Sequence, residues 1–321
     1  MNKRKLGNSA LSVSTLCFGG NVFGWTADET ASFKLLDAFT EAGGNFIDTA
    51  DVYSKWVPGN AGGESETIIG KWLKRRGGRD RLVIATKSGM EMPNVGKGLS
   101  RAHIEHSINA SLRRLQTGYI DLYISHADDA DIPMEETLDT YARLIKAGKV
   151  RFIGASNFSA ARLADSLRVS RAHKLPAYVS LQPEYSLYKR SGYEAELEAV
   201  CRRENIGVTG YYSLASGFLS GKYRPSSDNS VGGDISPRAA TAKSFLNERG
   251  LRILAALDAV AAAHRTNPTR IALAWLIARP GVTSPIASAT SLAQLHDLIE
   301  STRLVLTSDQ IALLDHSSAS A

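Results

Sequence analysis

The stretch Tyr119-Ile120-Asp121-Leu122-Tyr123-Ile124-Ser125-His126 is a short apolar run, rich in β-formers, that closes on polar residues. Residues 133–146 follow with a helical pattern, with Pro133 near its start and Gly148 just past its end, where each residue suits a helix boundary. A second apolar run, 150–155, then closes on Ser156-Asn157. Strand, helix, strand is the unit that decides the fold. Both runs lack strict polar alternation, as strands do when both their faces are covered, and this is the mark of a parallel sheet.

The same unit repeats in both directions. Apolar runs occupy 16–18, 45–47, 82–85, 119–124, 150–155, 178–181, 206–209 and 282–286. Helical patterns lie between them at 29–42, 64–74, 100–115, 133–146, 160–170, 194–203, 268–278 and 292–301. Ser100 stands ahead of Ile104, Ile108 and Leu112 at four-residue spacing, and Gly43-Gly44 and Gly77-Gly78 end two other helices. Strand–helix units repeated in order predict an α/β fold closed into a (β/α)8 TIM barrel, a single domain over 1–321, rather than an open doubly wound sheet. No G-x-G-x-x-G follows an early strand, so the dinucleotide loop of an open sheet is missing. Residues 3–6 and 11–13 are expected to pair as a small N-terminal hairpin closing the barrel bottom. One long loop after strand seven, 223–248, is rich in Pro, Ser, Gly and Asp and reads as a flap over a ligand or as disorder; a helix over 251–263 follows. The short remainder after 301 is not expected to form a long tail over the pocket.

Composition narrows the class. The chain has 321 residues, 43% of them hydrophobic, with 38 Lys and Arg against 32 Asp and Glu; the resulting +6 is dispersed, which argues against a nucleic-acid partner and suits an anionic cofactor. Met1-Asn2-Lys3-Arg4 is followed by no apolar signal core, and no run reaches the length of a membrane span, so a soluble cytoplasmic protein with no membrane partner is expected. Cys17 and Cys201 read as reduced core thiols.

Barrel sites form at the C-terminal ends of the strands, so the polar residues that end each run form the candidate set. Strand two ends Asp48-Thr49-Ala50-Asp51-Val52-Tyr53, strand three Thr86-Lys87, strand four Ser125-His126, strand five Ser156-Asn157, strand six Gln182 and strand seven Tyr211-Tyr212. An acid, a lysine, a histidine and a tyrosine at one mouth suit delivery of a proton to an oxygen that gains negative charge as hydride arrives. A free phenol titrates near ~10, and a neighbouring ammonium lowers that value. Lys87 is expected to supply this charge to Tyr53, Asp48 to hold Lys87, and neutral His126 to orient the substrate oxygen. A Schiff-base aldolase using Lys87 would require an amine free of any carboxylate.

Three strings carry a family resemblance: Gly44-Asn45-Phe46-Ile47-Asp48-Thr49-Ala50-Asp51-Val52-Tyr53, Gly148-Lys149-Val150-Arg151-Phe152-Ile153-Gly154-Ala155-Ser156-Asn157-Phe158 and Leu214-Ala215-Ser216-Gly217-Phe218-Leu219-Ser220-Gly221-Lys222-Tyr223. From about Leu6 to about Leu314 the chain resembles the aldo-keto reductase superfamily, and within it the bacterial branch that is similar to potassium-channel β subunits. The resemblance implies a catalytic tetrad of Asp48, Tyr53, Lys87 and His126, hydride transfer from the A face of a nicotinamide, NADPH as cofactor with NADH possible, and no metal. It implies that Ser156, Asn157 and Gln182 hold the carboxamide, that Tyr211 stacks on the ring, and that the loop of Leu214, Gly217, Leu219 and Lys222 meets the pyrophosphate through its backbone and the lysine. Gly19, Gly20, Asn21 and Asp48 then lie by the ribose, and Ser288, Thr290 and Gln294 by the adenosine. Thr290 stands where many NADPH-preferring relatives carry an arginine, and Tyr212-Ser213 stands where many have Ser-Pro. A small carbonyl or alcohol substrate is expected against Trp25, Val52, Tyr53, Trp56 and His126, with Asp128 and Asp129 read either as binding substrate hydroxyls, as in a sugar, or as part of a solvated turn over 127–131. The alternative function is a regulatory subunit that binds the cofactor, like the channel subunits. The family spans several oligomeric states and fixes none for this chain. His103 and His106, three apart on one helix, are expected to be surface residues rather than metal ligands.

Overall fold

Alternation along each strand decides which side chains enter the barrel and which face the helices. In the computed structural model, which describes residues 1–224 and 236–319, strand β4 (Phe46–Asp48) turns Phe46 inward and Ile47 outward. On β5 (Val83–Ser88) Val83 and Ala85 are inside and Ile84 outside; on β6 (Ile120–Ser125) Leu122 and Ile124 are inside and Tyr123 outside. Continued to the top of β4 and β5, the same parity delivers Asp48 and Lys87 to the interior of the mouth.

The other barrel strands are β3 (Cys17–Gly19), β7 (Val150–Ser156), β8 (Ser180–Gln182), β9 (Gly207–Val208) and β10 (Ile286–Ala287). All pair in parallel in the order β10-β3-β4-β5-β6-β7-β8-β9. The ring closes where the Thr283 amide donates to Val208 O at 2.8 Å and the Ile286 amide to Gly210 O at 2.8 Å. Each of the eight predicted apolar runs overlaps one of these strands, most of which end one to three residues later than the run. Below the barrel, β1 (Lys3–Lys5) and β2 (Ser12–Ser14) form the expected antiparallel hairpin. Leu6, Leu11 and Val13 plug the bottom of the inner core, and Arg4 Nη1 donates to the carbonyls of Ile277 and Val282, both at 2.9 Å.

Helices α1 (Glu29–Glu41), α2 (Glu64–Arg76), α3 (Arg101–Leu115), α4 (Met134–Lys146), α5 (Ala160–His173), α6 (Ser191–Glu194), α7 (Leu197–Arg203), α8 (Ala239–Lys243), α9 (Glu248–Ala263), α10 (Pro268–Ala278), α11 (Leu292–Ser301) and α12 (Ser308–Ser318), with short 3-10 turns at Arg79–Arg81 and Ala215–Ser220, complete the described elements. Side chains of Asp28, Ser100, Ser159, Asn247, Asn267, Ser291 and Thr307 accept from first-turn amides and fix where seven of them begin. Helix α12 lies beyond the last helix expected from sequence; it buries only Leu314 and Ser318, so it shows no apolar stripe. Part of the expected loop 223–248, residues 225–235, lies outside the described residues; its described end carries α8 and the start of α9. Cys17 and Cys201 are buried thiols. Among the described residues no helix is long and apolar enough to cross a membrane.

Helices α2 and α3 approach most closely at Gly70, where a Cβ would stand 2.0 Å from the Arg114 carbonyl oxygen and 2.8 Å from Leu115. Backbone on one side and helix on the other leave no side chain to give way. Gly70→Ala is expected to lower unfolding stability by about 1–3 kcal/mol, read as a lower urea midpoint with an unchanged slope.

Candidate active site

Lys87 is fully buried at the top of β5, and its ammonium has three acceptors: Asp48 Oδ2 at 2.7 Å, Thr49 O at 2.8 Å and Tyr53 Oη at 2.8 Å. Every N–H is therefore committed. Asp48 accepts in addition from Gln182 Nε2 at 3.0 Å through its other oxygen, and Tyr53 Oη donates to Oδ2 at 3.3 Å. Three strand ends, β4, β5 and β8, are thus tied to one carboxylate–ammonium pair, with His126 beside it, its ring centroid 6.1 Å from that of Tyr53.

Tyr53 reaches this pair because the chain turns back after β4. The Thr49 amide donates to Ala85 O and the Asp51 amide to Lys87 O, which staple the turn to β5. The Tyr53 amide donates to Ala50 O, and Ser54 holds a left-handed backbone, φ 71°, while its hydroxyl donates to Phe23 O at 2.7 Å. A local strain at Ser54 is held by that buried hydrogen bond.

Burial pushes the Tyr53 phenol well above its usual range, and the charge of Asp48 and its hydrogen bond push in the same direction, with Arg238 acting against them. The sequence led to the opposite expectation, an acidified phenol. The difference has a simple cause: Lys87 is neutralised by Asp48 at 2.7 Å, so its field at the hydroxyl is largely cancelled while the cost of burying a phenolate remains. Burial, with Lys87 and Lys55, holds His126 well below the usual histidine range, so its imidazole is neutral. Among the described residues His126 Nδ1 is buried with no hydrogen-bond partner.

Above this centre runs a cleft of about 1020 Å³. Gly19, Asn21, Ser156, Asn157, Gln182 and Tyr211 line it near the barrel axis, and Leu214, Gly217 and Lys222 line it along the loop after β9. Ser288, Thr290 and Gln294 line it beside α11. Tyr211 Oη donates to Asn157 Oδ1 at 2.8 Å, and Asn157 Nδ2 donates to His126 O at 2.8 Å, so the strand-five and strand-seven residues are pre-set against the centre. A Cβ on Gly19 would meet Ser288 Oγ at 2.6 Å. The loop carries Ala215, Ser216 and Gly217 in succession with φ of 47°, 57° and 90°, an arrangement that makes backbone cradles for anions. At the far end Thr290 N and Oγ1 both donate to Gln294 Oε1, at 2.9 and 3.1 Å, and Asp297 is held by Arg270 at 2.8 Å. A cleft of this volume, with Gly19 and Gly217 in its wall and a turn of left-handed residues beside Lys222, fits a dinucleotide.

Some expected residues lie elsewhere. Gly20 does not line the cleft; its amide donates to Asp48 O at 2.7 Å, and a Cβ there would press on Ser65. The side chain of Leu219 is fully buried in the core and its amide donates within the loop to Leu214 O at 3.2 Å. Asp128 is drawn away by Arg162, which donates to it at 2.8 Å, and Asp129 by the Leu99 amide at 2.8 Å, so neither carboxylate faces the substrate end. Trp25, Val52 and Trp56 line the cleft as expected. Sequence reasoning passed over Ser216, Ser220, Asn267, Thr269, Asp297 and Arg238, all cleft residues. Ser216 and Ser220 lay within a quoted string, whereas Arg238 is brought in from the far side of 225–235 with no local signal.

A family model described as the Aldo/keto reductase family matches residues 15–319. The chain belongs to the aldo/keto reductase family, a family of oxidoreductases acting on small carbonyl compounds. "Protein tas" of Escherichia coli (strain K12) is 32% identical to it, covering 98% of this chain and 97% of that protein. "Aldo-keto reductase YhdN" of Bacillus subtilis (strain 168) is 32% identical over 94% of this chain and 87% of its own length. A protein of Oryza sativa subsp. japonica named "Probable voltage-gated potassium channel subunit beta" is 33% identical, covering 92% and 89%.

Behind Tyr53, Asp51 is buried beside a second acid. Burial raises its carboxyl to about 8, and the charge of Glu66 adds to this. Glu66 is itself committed to Arg114 at 2.7 Å and to the Thr86 hydroxyl at 2.5 Å. An unfolded aspartate loses its proton near ~3.9. Between these values the folded state keeps a proton that the unfolded chain has released, so this group's contribution to stability is full at low pH and is lost as pH rises through about 8. Asp51→Asn removes that dependence. Urea denaturation of both proteins from mildly acidic to mildly alkaline pH is expected to show the variant gaining on the wild type as pH rises.

Proposed function

We propose that this chain is an NADP(H)-dependent aldo-keto reductase that moves hydride reversibly between nicotinamide C4 and a carbonyl or alcohol carbon, with Tyr53 as the proton donor in reduction. The observation that carries the reading is the buried Lys87 ammonium, 2.8 Å from the Tyr53 hydroxyl and 2.7 Å from Asp48, at the mouth of a cleft of dinucleotide size.

When bound, the nicotinamide supplies the hydride. Ser156, Asn157 and Gln182 are the side chains assigned to its carboxamide and Tyr211 to its ring face. The loop around Leu214, Gly217 and Lys222 is assigned to the phosphates, Gly19 and Asn21 to the ribose, and Ser288, Thr290 and Gln294 to the adenosine end. Thr290 offers a hydroxyl and no bidentate cation, so NADH is accepted beside the preferred NADPH.

The chain's own part in the reaction is to hold and move a proton. Tyr53 is kept protonated, so the donor form is the resident form at neutral pH. As negative charge builds on the substrate oxygen, the phenolic proton passes to it. The phenolate left behind faces the Lys87 ammonium, whose charge is worth most where water is excluded. Neutral His126 orients the carbonyl oxygen without competing as an acid. Lys87 engaged by a carboxylate at 2.7 Å is a poor Schiff-base nucleophile, which disfavours the aldolase reading.

Three outcomes are expected. Tyr53→Phe lowers turnover at least about a hundredfold while NADPH still quenches and binds as before. Carbonyl reduction by the wild type stays flat through neutral pH because both donor groups already hold their working protonation states, whereas alcohol oxidation rises with pH as Tyr53 deprotonates. A screen of aldehydes, ketosugars, ketosteroids and quinones finds NADPH consumption; binding without oxidation of any of them would favour a regulatory role like that in the rice relative's name.

A further inference from the structure

Among the described residues, arginines with little exposure are paired with carboxylates, apart from Arg4 and Arg249, whose guanidinium groups donate to backbone carbonyls. Arg79 meets Asp121, Arg114 meets Glu66, Arg162 meets Asp128, Arg190 meets Glu194, Arg270 meets Asp297 and Arg279 meets Asp315, each at 2.7–2.9 Å. Arg238 departs from both patterns: among the described residues its guanidinium has neither a carboxylate nor a backbone carbonyl as partner. Its guanidinium carbon lies 5.1 Å from the Trp25 ring centroid and 5.9 Å from that of Tyr212, and it lines the cleft that holds Tyr53 and His126. The side chains whose charge acts on it among the described residues are three tyrosines, Tyr212, Tyr53 and Tyr223, and no carboxylate. Ring faces hold the plane of the guanidinium, but they accept none of its in-plane N–H bonds, so the fork stays directed at something else.

The rest of that end of the cleft agrees. Trp25 and Trp56 stand edge to face at 5.5 Å, and Trp56 meets Tyr53 at 6.2 Å, which makes an apolar wall beside the reacting hydroxyl. The cleft's carboxylates are already engaged: Asp48 by Lys87 and Gln182, and Asp297 by Arg270 and Asn267. Asp128 and Asp129, the residues that would recognise sugar hydroxyls, are committed elsewhere. An aromatic wall with one planar cation is a receptor for an apolar body bearing an oxyanion.

We propose that Arg238 is a specificity-determining residue that binds a carboxylate of the substrate, so that the favoured substrates are oxo acids with an aromatic or apolar body, their carbonyl at Tyr53 and His126. This rests on the reductase reading above. A phosphate of the dinucleotide is the other source of an oxyanion, and the experiment separates the two.

Steady-state kinetics with saturating NADPH would compare 4-carboxybenzaldehyde with its methyl ester in the wild type, Arg238→Met and Arg238→Lys, with NADPH affinity measured by fluorescence. The wild type is expected to favour the acid by about tenfold in kcat/KM. Arg238→Met, which keeps an apolar stem over Trp25, brings the ratio to about one through a higher KM for the acid, and Arg238→Lys restores part of it. NADPH affinity stays within about threefold. A wild type without preference, or a ratio that survives Arg238→Met, overturns the proposal. So does a loss of NADPH affinity with the ratio intact, which would assign the cation to the cofactor. A wild type that binds NADPH and reduces neither aldehyde would instead overturn the reductase reading, and this proposal with it.

Discussion

One buried ion pair organises this protein: Lys87 and Asp48, 2.7 Å apart at the top of the barrel with almost no exposure to solvent. Two charges in such a place are tolerated only when their remaining hydrogen-bonding capacity is filled. Here Thr49 O and Tyr53 Oη take the other Lys87 protons, and Gln182 and Tyr53 each donate to Asp48 beside Lys87. Removing one partner of such a pair typically costs ~3–5 kcal/mol, because the other is left buried alone. The pair therefore fixes the relative height of β4, β5 and β8, and it draws the turn after β4 over the mouth so that the phenol has no other place to sit.

The chemistry follows from the same arrangement. Tyr53 is poised by what is held in readiness beside it rather than by an acidic ground state. In the resting protein Asp48 cancels Lys87 and burial favours the neutral phenol. When the proton leaves, the ammonium faces two anions instead of one, and the stabilisation appears only as the alkoxide forms. An interaction realised late in the reaction lowers the barrier without over-stabilising the starting state.

Much of this was legible in the sequence, and the limits are physical. The eight apolar runs were visible because strands buried on both faces cannot hide their composition, whereas the parity that turns Asp48 and Lys87 inside emerged only with the strand register of the structure. The centre itself was readable from residue types at successive strand ends. Helix α12 was not, because it buries too little to carry a stripe. The sign of the Tyr53 shift was misjudged because a sequence shows a neighbouring lysine but neither the depth of burial nor the cancellation by Asp48. Asp128 was assigned to the substrate because its capture by Arg162, on α5, is a tertiary event. Arg238 was missed for the same reason, since its aromatic partner Trp25 lies near the other end of the chain.

The central claim is that the Lys87 ammonium acts on the reacting hydroxyl and not on the assembly of the cleft. Single-turnover hydride transfer measured by stopped flow in Lys87→Met, alongside NADPH affinity of the same preparation, tests it directly. The account predicts affinity within about threefold of the wild type and a transfer step slowed at least about a hundredfold. A transfer step as fast as the wild type's, in a variant that still binds NADPH, would contradict it.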